Sequence, residues 1–173
     1  IYEDNYFIGI NKPGGLLSIS TSSEKEITAY SIVREYVKRN SKHNKLFILH
    51  RLDRDTSGIL LFCRDEKLKN NMQNNWDSVV FKRGYLAIVI GRLKDKCGVI
   101  KSYLYEDKNF VVRSSSDSKR GKLAITNYEV IKSNKKYSLL QIFLDTGRKN
   151  QIRVHMNEIG TSILGDRKDR KST

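Results

Sequence analysis

The chain has 173 residues, one domain's worth and enough to bury a core, with 38% apolar residues and nine Tyr, six Phe and one Trp to add buried area. Lys and Arg total 33 against 19 Asp and Glu, a formal net charge of +14. Cys63 and Cys97 form no Cys-x-x-Cys pair and no apolar span approaches membrane length, so a zinc knuckle, a dithiol redox motif and a membrane-spanning role are excluded and a cytoplasmic location is expected. Self-repulsion opposes so large a positive excess, and an anionic partner is its usual cause; the Tyr- and Arg-rich composition favours nucleic acid over a membrane surface. Plain solubility is the competing account.

Tyr2, Tyr6, Ile8 and Ile10 mark a strand over residues 1–10. Asn11-Lys12-Pro13-Gly14-Gly15 then turns the chain, since Pro fixes its φ and Gly admits positive φ. Lys12 has two readings here, a phosphate contact or a solvated turn lysine. Leu16 to Ile19 is extended again. Ser23-x-x-Glu26 has the form of a capping box, and Ile27, Tyr30, Val33 and Val37 follow at helical spacing. Asn40 to Lys45 is a polar linker.

The densest polar segment follows: His50-Arg51-Leu52-Asp53-Arg54-Asp55-Thr56-Ser57-Gly58, then the apolar run Ile59 to Cys63. Five apolar residues after a Gly predict a buried central strand, and Leu46 to Leu49 lies on the other side. The polar cluster is therefore anchored at both ends, which is how functional groups are held rigid. A surface loop merely solvated by its ion pairs is the plainer reading. Asp65 is placed to cap a helix with Leu68, Met72 and Trp76 on its core side. Val79 to Ile90 is a second apolar stretch, read as a strand ended by Gly91. At its entry Lys82 and Arg83 stand beside Tyr85, which is either an ordinary strand Tyr or a platform for a base.

Val99 to Tyr105 and Asn109 to Arg113 predict a hairpin, and Ser114 to Lys122 a basic, mobile loop facing RNA. Leu123 to Ile131 and Tyr137 to Leu144 predict a second strand pair. Thr146-Gly147 then leads to a helix with Arg148, Lys149 and Gln151 expected in its first turn, where free N–H groups and the dipole favour an anion. Ile152, Met156 and Ile159 share one face, Gly160 is the stop, and His155 beside that face is read as structural. Sparse helices between many hairpin-spaced strands indicate an α+β fold with a mixed, largely antiparallel sheet core and a few flanking helices, in a single domain over 1–173.

His43, His50 and His155 have no metal-ligand spacing. Gly121-Lys122 has Ser116 where a phosphate-binding loop needs Gly, and Ser57-Gly58 lacks the preceding Gly of a hydrolase elbow. Asp53-Arg54-Asp55 after an apolar stretch is compatible with magnesium-dependent phosphotransfer, but that chemistry wants further carboxylates and only Asp145 offers itself. What remains is a lone carboxylate nucleophile among cations: Asp53, sequestered and kept ionised by Arg148. No metal or cofactor is expected.

His50-Arg51-Leu52-Asp53-x-x-Thr56-Ser57-Gly58-x-Leu60-Leu61 resembles the signature of the RluA-type pseudouridine synthases. Asn11 to Leu16 is similar to that family's first motif, Tyr85 to Gly91 to its third, and Thr146 to His155 with Ile163 to Asp166 to its fourth. Four motifs in order make the match specific over most of the chain. The resemblance implies the catalytic-domain fold of that family and isomerisation of uridine to pseudouridine in ribosomal or transfer RNA. It implies Asp53 as nucleophile, Tyr85 stacked on a flipped-out uracil, and Arg148 paired with Asp53; Lys12, Arg51, Arg54, Lys82, Arg83 and Arg153 would hold the motifs or contact the RNA. A monomer without membrane attachment is expected, and a non-catalytic RNA-binding module of the same fold is the alternative. Asn150 departs from the His common in relatives, a position expected to support the loop. The chain begins at Ile1 and ends in Asp166 to Thr173 without the usual closing element, and lacks an S4-type RNA-binding domain, so a longer parent is expected.

Overall fold

The computed structural model describes residues 1–20 and 27–166. The chain divides into two compact units, Ile1–Phe81 and Lys82–Thr173, each with its own sheet and core. No described helix is long and apolar enough to cross a membrane.

In the first unit, strands β1 (Tyr2–Glu3), β2 (Phe7–Lys12), β3 (Phe47–Ile48) and β4 (Gly58–Cys63) form an antiparallel sheet in the order β1-β2-β4-β3. The apolar run after Gly58 is central, as its composition predicts. Its two faces are covered unequally. Leu60 and Phe62 are fully buried, whereas on the alternate face Ile59 is 60% exposed and only Cys63, at the strand's far end, is fully buried. Helix α1 (Ala29–Asn40) supplies that cover through Val33 and Val37. Its cap is Thr28, whose hydroxyl accepts from the Ser31 amide while the Ser31 hydroxyl accepts from the Thr28 amide. Ser23 to Glu26 lies outside the described residues, and Ile27 precedes the helix and is exposed. The helix capped by Asp65 is two pieces, α2 (Glu66–Asn74) and α3 (Trp76–Val79), with the break at Asn75. Neither piece has a fully buried residue, so the expected core stripe of Leu68, Met72 and Trp76 is only half-buried.

In the second unit, β5 (Gly84–Ile90), β6 (Cys97–Glu106), β7 (Val112–Ser115), β8 (Lys122–Ser133) and β9 (Tyr137–Leu144) pair antiparallel in the order β5-β9-β8-β6-β7. Alternation puts Ser138, Leu140 and Ile142 of β9 on the buried face. Helix α4 (Gln151–Glu158) lays Ile152 and Met156 against Val89, Ile100, Leu140 and Ile142. Burying each such side chain contributes on the order of 1.5–3 kcal/mol. After α4 the chain returns along β5: the Ile90 amide donates to Ser162, the Leu164 amide donates to Ile88, and Val89 bridges Ile163.

The architecture is the α+β arrangement expected, with every named strand pair antiparallel.

Candidate functional site

In the first unit the polar motif forms a tight turn at the head of β4, closed by the Thr56 amide donating to the Asp53 carbonyl at 3.1 Å. Gly58 opens the strand with φ 127°, a conformation L side chains rarely adopt. Three groups from elsewhere in the unit pin this turn. Lys12 pairs with Gly58 in the sheet register, and its side chain is fully buried. The Lys12 ammonium donates to the carbonyls of Pro13 (2.9 Å), Leu16 (2.7 Å) and Arg54 (3.0 Å). Burial pulls the Lys12 pKa below the ordinary lysine range, against the pull of Asp55 and Asp53. The Gly15 amide also donates to Arg54 at 2.9 Å, and Gly14 passes so close that a Cβ would lie 3.2 Å from the Asp55 carbonyl oxygen. Ser18 clamps the other side: its hydroxyl donates to the Leu52 carbonyl at 2.7 Å and accepts from the Leu52 amide at 3.1 Å.

Two expectations are corrected here. Lys12 does not reach out to RNA, because all three ammonium hydrogens are taken by main-chain carbonyls. Asp53 is exposed rather than buried, since it rides a turn and not the adjoining strand. Arg51 is exposed and Arg54 half-buried. Sequence reading passed over Ser18; the available signal was a small polar residue inside the apolar run Leu16-Leu17-Ser18-Ile19.

His50 closes the motif's start. Its Nε2 accepts from the Leu61 amide at 3.2 Å, and its ring packs tilted on Trp76 with centroids 5.7 Å apart. Accepting an N–H requires the neutral ring, and burial lowers the His50 pKa.

In the second unit Tyr85 is half-buried near the start of β5, opposite Ile142. Lys82 is exposed, its ammonium 4.3 Å from the centroid of the Phe143 ring. The Arg83 guanidinium donates to the carbonyls of Leu144 and Asp145, tying the start of β5 to the end of β9. Arg148 is exposed and lies ahead of α4, not in its first turn; its Nε donates to Leu123 at 2.9 Å. The helix begins later than its sequence suggests because Asn150 adopts φ 55°, which Asn tolerates better than most residues. Arg153 forms a two-point ion pair with Asp166 and also contacts Asn150 Oδ1, so it braces the fourth motif where an RNA contact was also expected. Asn150 thus supports the loop, as anticipated. His155 is fully buried between Ser102 Oγ (3.0 Å) and Thr126 Oγ1 (2.8 Å), the structural role read from its position. Burial lowers its pKa too.

Both histidines give the fold a definite acid response. A His held neutral in the native state takes up a proton more readily once unfolded, so the stability it contributes is complete above the ordinary value of about 6.5 and declines as pH falls below it. The melting temperature is expected to be flat above about pH 7 and to drop between about pH 6.5 and 5, before most carboxylates titrate. Thermal melts across that range check this; a midpoint that does not fall over it would contradict the burial of both rings.

Comparison with known proteins agrees with these motifs. A family model described as RNA pseudouridylate synthase matches residues 6–158. Ribosomal large subunit pseudouridine synthase D of Borreliella burgdorferi is 34% identical over 171 residues, covering 96% of this chain and 52% of that protein. The uncharacterized RNA pseudouridine synthase YhcT of Bacillus subtilis is 33% identical over 168 residues, covering 96% of this chain and 55% of its own. The tRNA pseudouridine synthase C of Haemophilus influenzae is 29% identical over 177 residues, covering 96% and 73%. Among solved structures, human RNA pseudouridylate synthase domain containing 4 superposes with a TM-score of 0.81 at 23% identity, over 99% of this chain and 69% of that one, a likeness of fold. The chain spans about half the length of the Borreliella and Bacillus relatives.

Proposed function

This chain belongs to the RNA pseudouridylate synthase family, and from that premise we propose that the protein converts uridine to pseudouridine in structured ribosomal or transfer RNA. The observation that carries the reading is the Asp53 turn, its main chain fixed by Lys12 and Ser18 at the head of the central strand. A carboxylate mounted on so constrained a backbone is held for positional chemistry, not for solvation alone.

The reaction is an internal rearrangement. The bond from ribose C1′ to uracil N1 breaks, the base turns, and C1′ bonds to C5; C5 gives up a proton and N1 gains one. No electrons are exchanged with a redox partner. Asp53 serves as nucleophile, Tyr85 as the stacking platform for the uracil, and Arg148 as a further residue of the reacting site, roles carried over from the matching motifs. The exposure of Asp53 suits a substrate that has left its helix: the flipped nucleotide itself displaces the water. The net charge of +14 draws in the RNA backbone, with the exposed Arg51 and Lys82 among the groups available to it.

The test is direct. Unmodified large-subunit ribosomal and transfer RNA transcripts are incubated with the protein in a chelator and mapped by carbodiimide-dependent reverse-transcription stops. Pseudouridine is expected at discrete positions, undiminished by the chelator. Bound but unmodified RNA of every kind offered would overturn the proposal in favour of a non-catalytic RNA-binding module.

A further inference from the structure

Four buried polar side chains with no part in the chemistry above run in line from the core of the second unit to the Arg148 turn: Ser102, His155, Thr126 and Gln151. Gln151 is the hub. Its Oε1 accepts from the Arg148 amide and from Thr146 Oγ1, both at 2.9 Å. Its Nε2 donates to the Ile125 carbonyl at 3.0 Å and to Thr126 Oγ1 at 2.9 Å. These partners fix which way the amide points, since an amide N–H only donates and a carbonyl only accepts. Thr126 Oγ1 also meets His155 Nδ1 at 2.8 Å. His155 Nε2 in turn lies 3.0 Å from Ser102 Oγ, so the imidazole bridges the two hydroxyls. The series ends on the main chain of Arg148.

The series sits on the sheet face that otherwise buries Val89, Ile100, Leu140, Ile142 and Met156. Apolar residues would fill such a place without desolvating any polar group. Asn150 makes no side-chain cap bond at the helix terminus, and the Arg148 amide is taken by the Gln151 side chain instead. We propose that Gln151 is a positioning residue for the isomerisation, holding the Arg148 turn in register while Thr126 and His155 hold Gln151. This rests on the assignment of Arg148 to the reacting site.

Three substitutions separate positioning from general support. Gln151→Met keeps the volume and loses all four bonds; Thr126→Val breaks the links of Thr126 to both Gln151 and His155; Thr126→Ser restores them. On a transcript the wild type modifies, Gln151→Met is expected to lower kcat by about 10- to 100-fold with KM within about two-fold, the signature of a displaced reacting group. Thr126→Val should move kcat the same way and Thr126→Ser should recover it. Added to Arg148→Ala, Gln151→Met should cost nothing further, because it acts through Arg148. Additive losses, or a change in KM alone, would overturn the inference. Amide exchange of Arg148 in the RNA-free protein gives an independent reading: about ten-fold faster exchange is expected in Gln151→Met and Thr126→Val, and unchanged exchange also overturns it. A wild type inactive on all RNAs refutes the proposed function, and the exchange comparison then decides whether Gln151 holds the turn.

Discussion

Asp53→Asn is expected to abolish pseudouridine formation, lowering single-turnover rates by about 10³-fold or more, while RNA affinity stays within a few-fold. The substitution is nearly isosteric and replaces the attacking carboxylate oxygen with an amide. The turn itself is held by the carbonyls of Asp53 and Arg54 and by Leu52, none of which the change touches. Binding is governed mainly by phosphate contacts, and removing one negative charge from a basic surface can only help them. Tritium release from C5-labelled uridine measures the first quantity and filter binding the second. Turnover within about ten-fold of wild type would remove Asp53 from the chemistry, and a matching loss of affinity would make it a binding residue instead.

Lys12→Met should give the second-largest effect, and on two axes. The ammonium is the shared donor to three carbonyls from two stretches of chain, Pro13 and Leu16 on one side and Arg54 on the other. Methionine fills the space but takes the ammonium donor from all three oxygens, leaving Arg54 only the Gly15 amide, a loss of about 2–3 kcal/mol of stability. Urea titration should show this as a lower midpoint with an unchanged slope. Activity should fall further than instability explains, by about 100-fold at a temperature where the variant is folded, because the Arg54 carbonyl beside Asp53 loses one of its two anchors and keeps only the Gly15 amide. Lys12→Arg should not rescue it: a planar guanidinium cannot aim its donors at three oxygens gathered around one point. A Lys12→Met protein as stable and active as wild type would show that the ammonium is incidental.

The contrast between these residues shows what a linear sequence reveals. The strand from Gly58 and the helix-capping role of Asp65 are legible because each depends on neighbours within a few positions. The motif carrying Asp53 is legible because charge concentrated beside an apolar run is uncommon. The role of Lys12 was not, since its three acceptors come from residues 13, 16 and 54, and only folding brings them together. Ser18 was missed for the same reason, its partner being Leu52. The start of α4 was misjudged by a local detail, the left-handed backbone at Asn150. The pairing of Arg153 with Asp166 spans a turn that helical periodicity does not describe.

The return of residues 162–164 along β5 has a bearing on how the molecule survives at high concentration. Leu86, Ile88 and Ile90 on that strand are exposed, and an outermost strand so apolar, with its amides and carbonyls unspent, is the usual template for joining one molecule to the next in a growing filament. The short returning segment occupies those groups at Ile88 and Ile90 with partners from its own chain, so the end of that margin is closed to recruitment of a stranger.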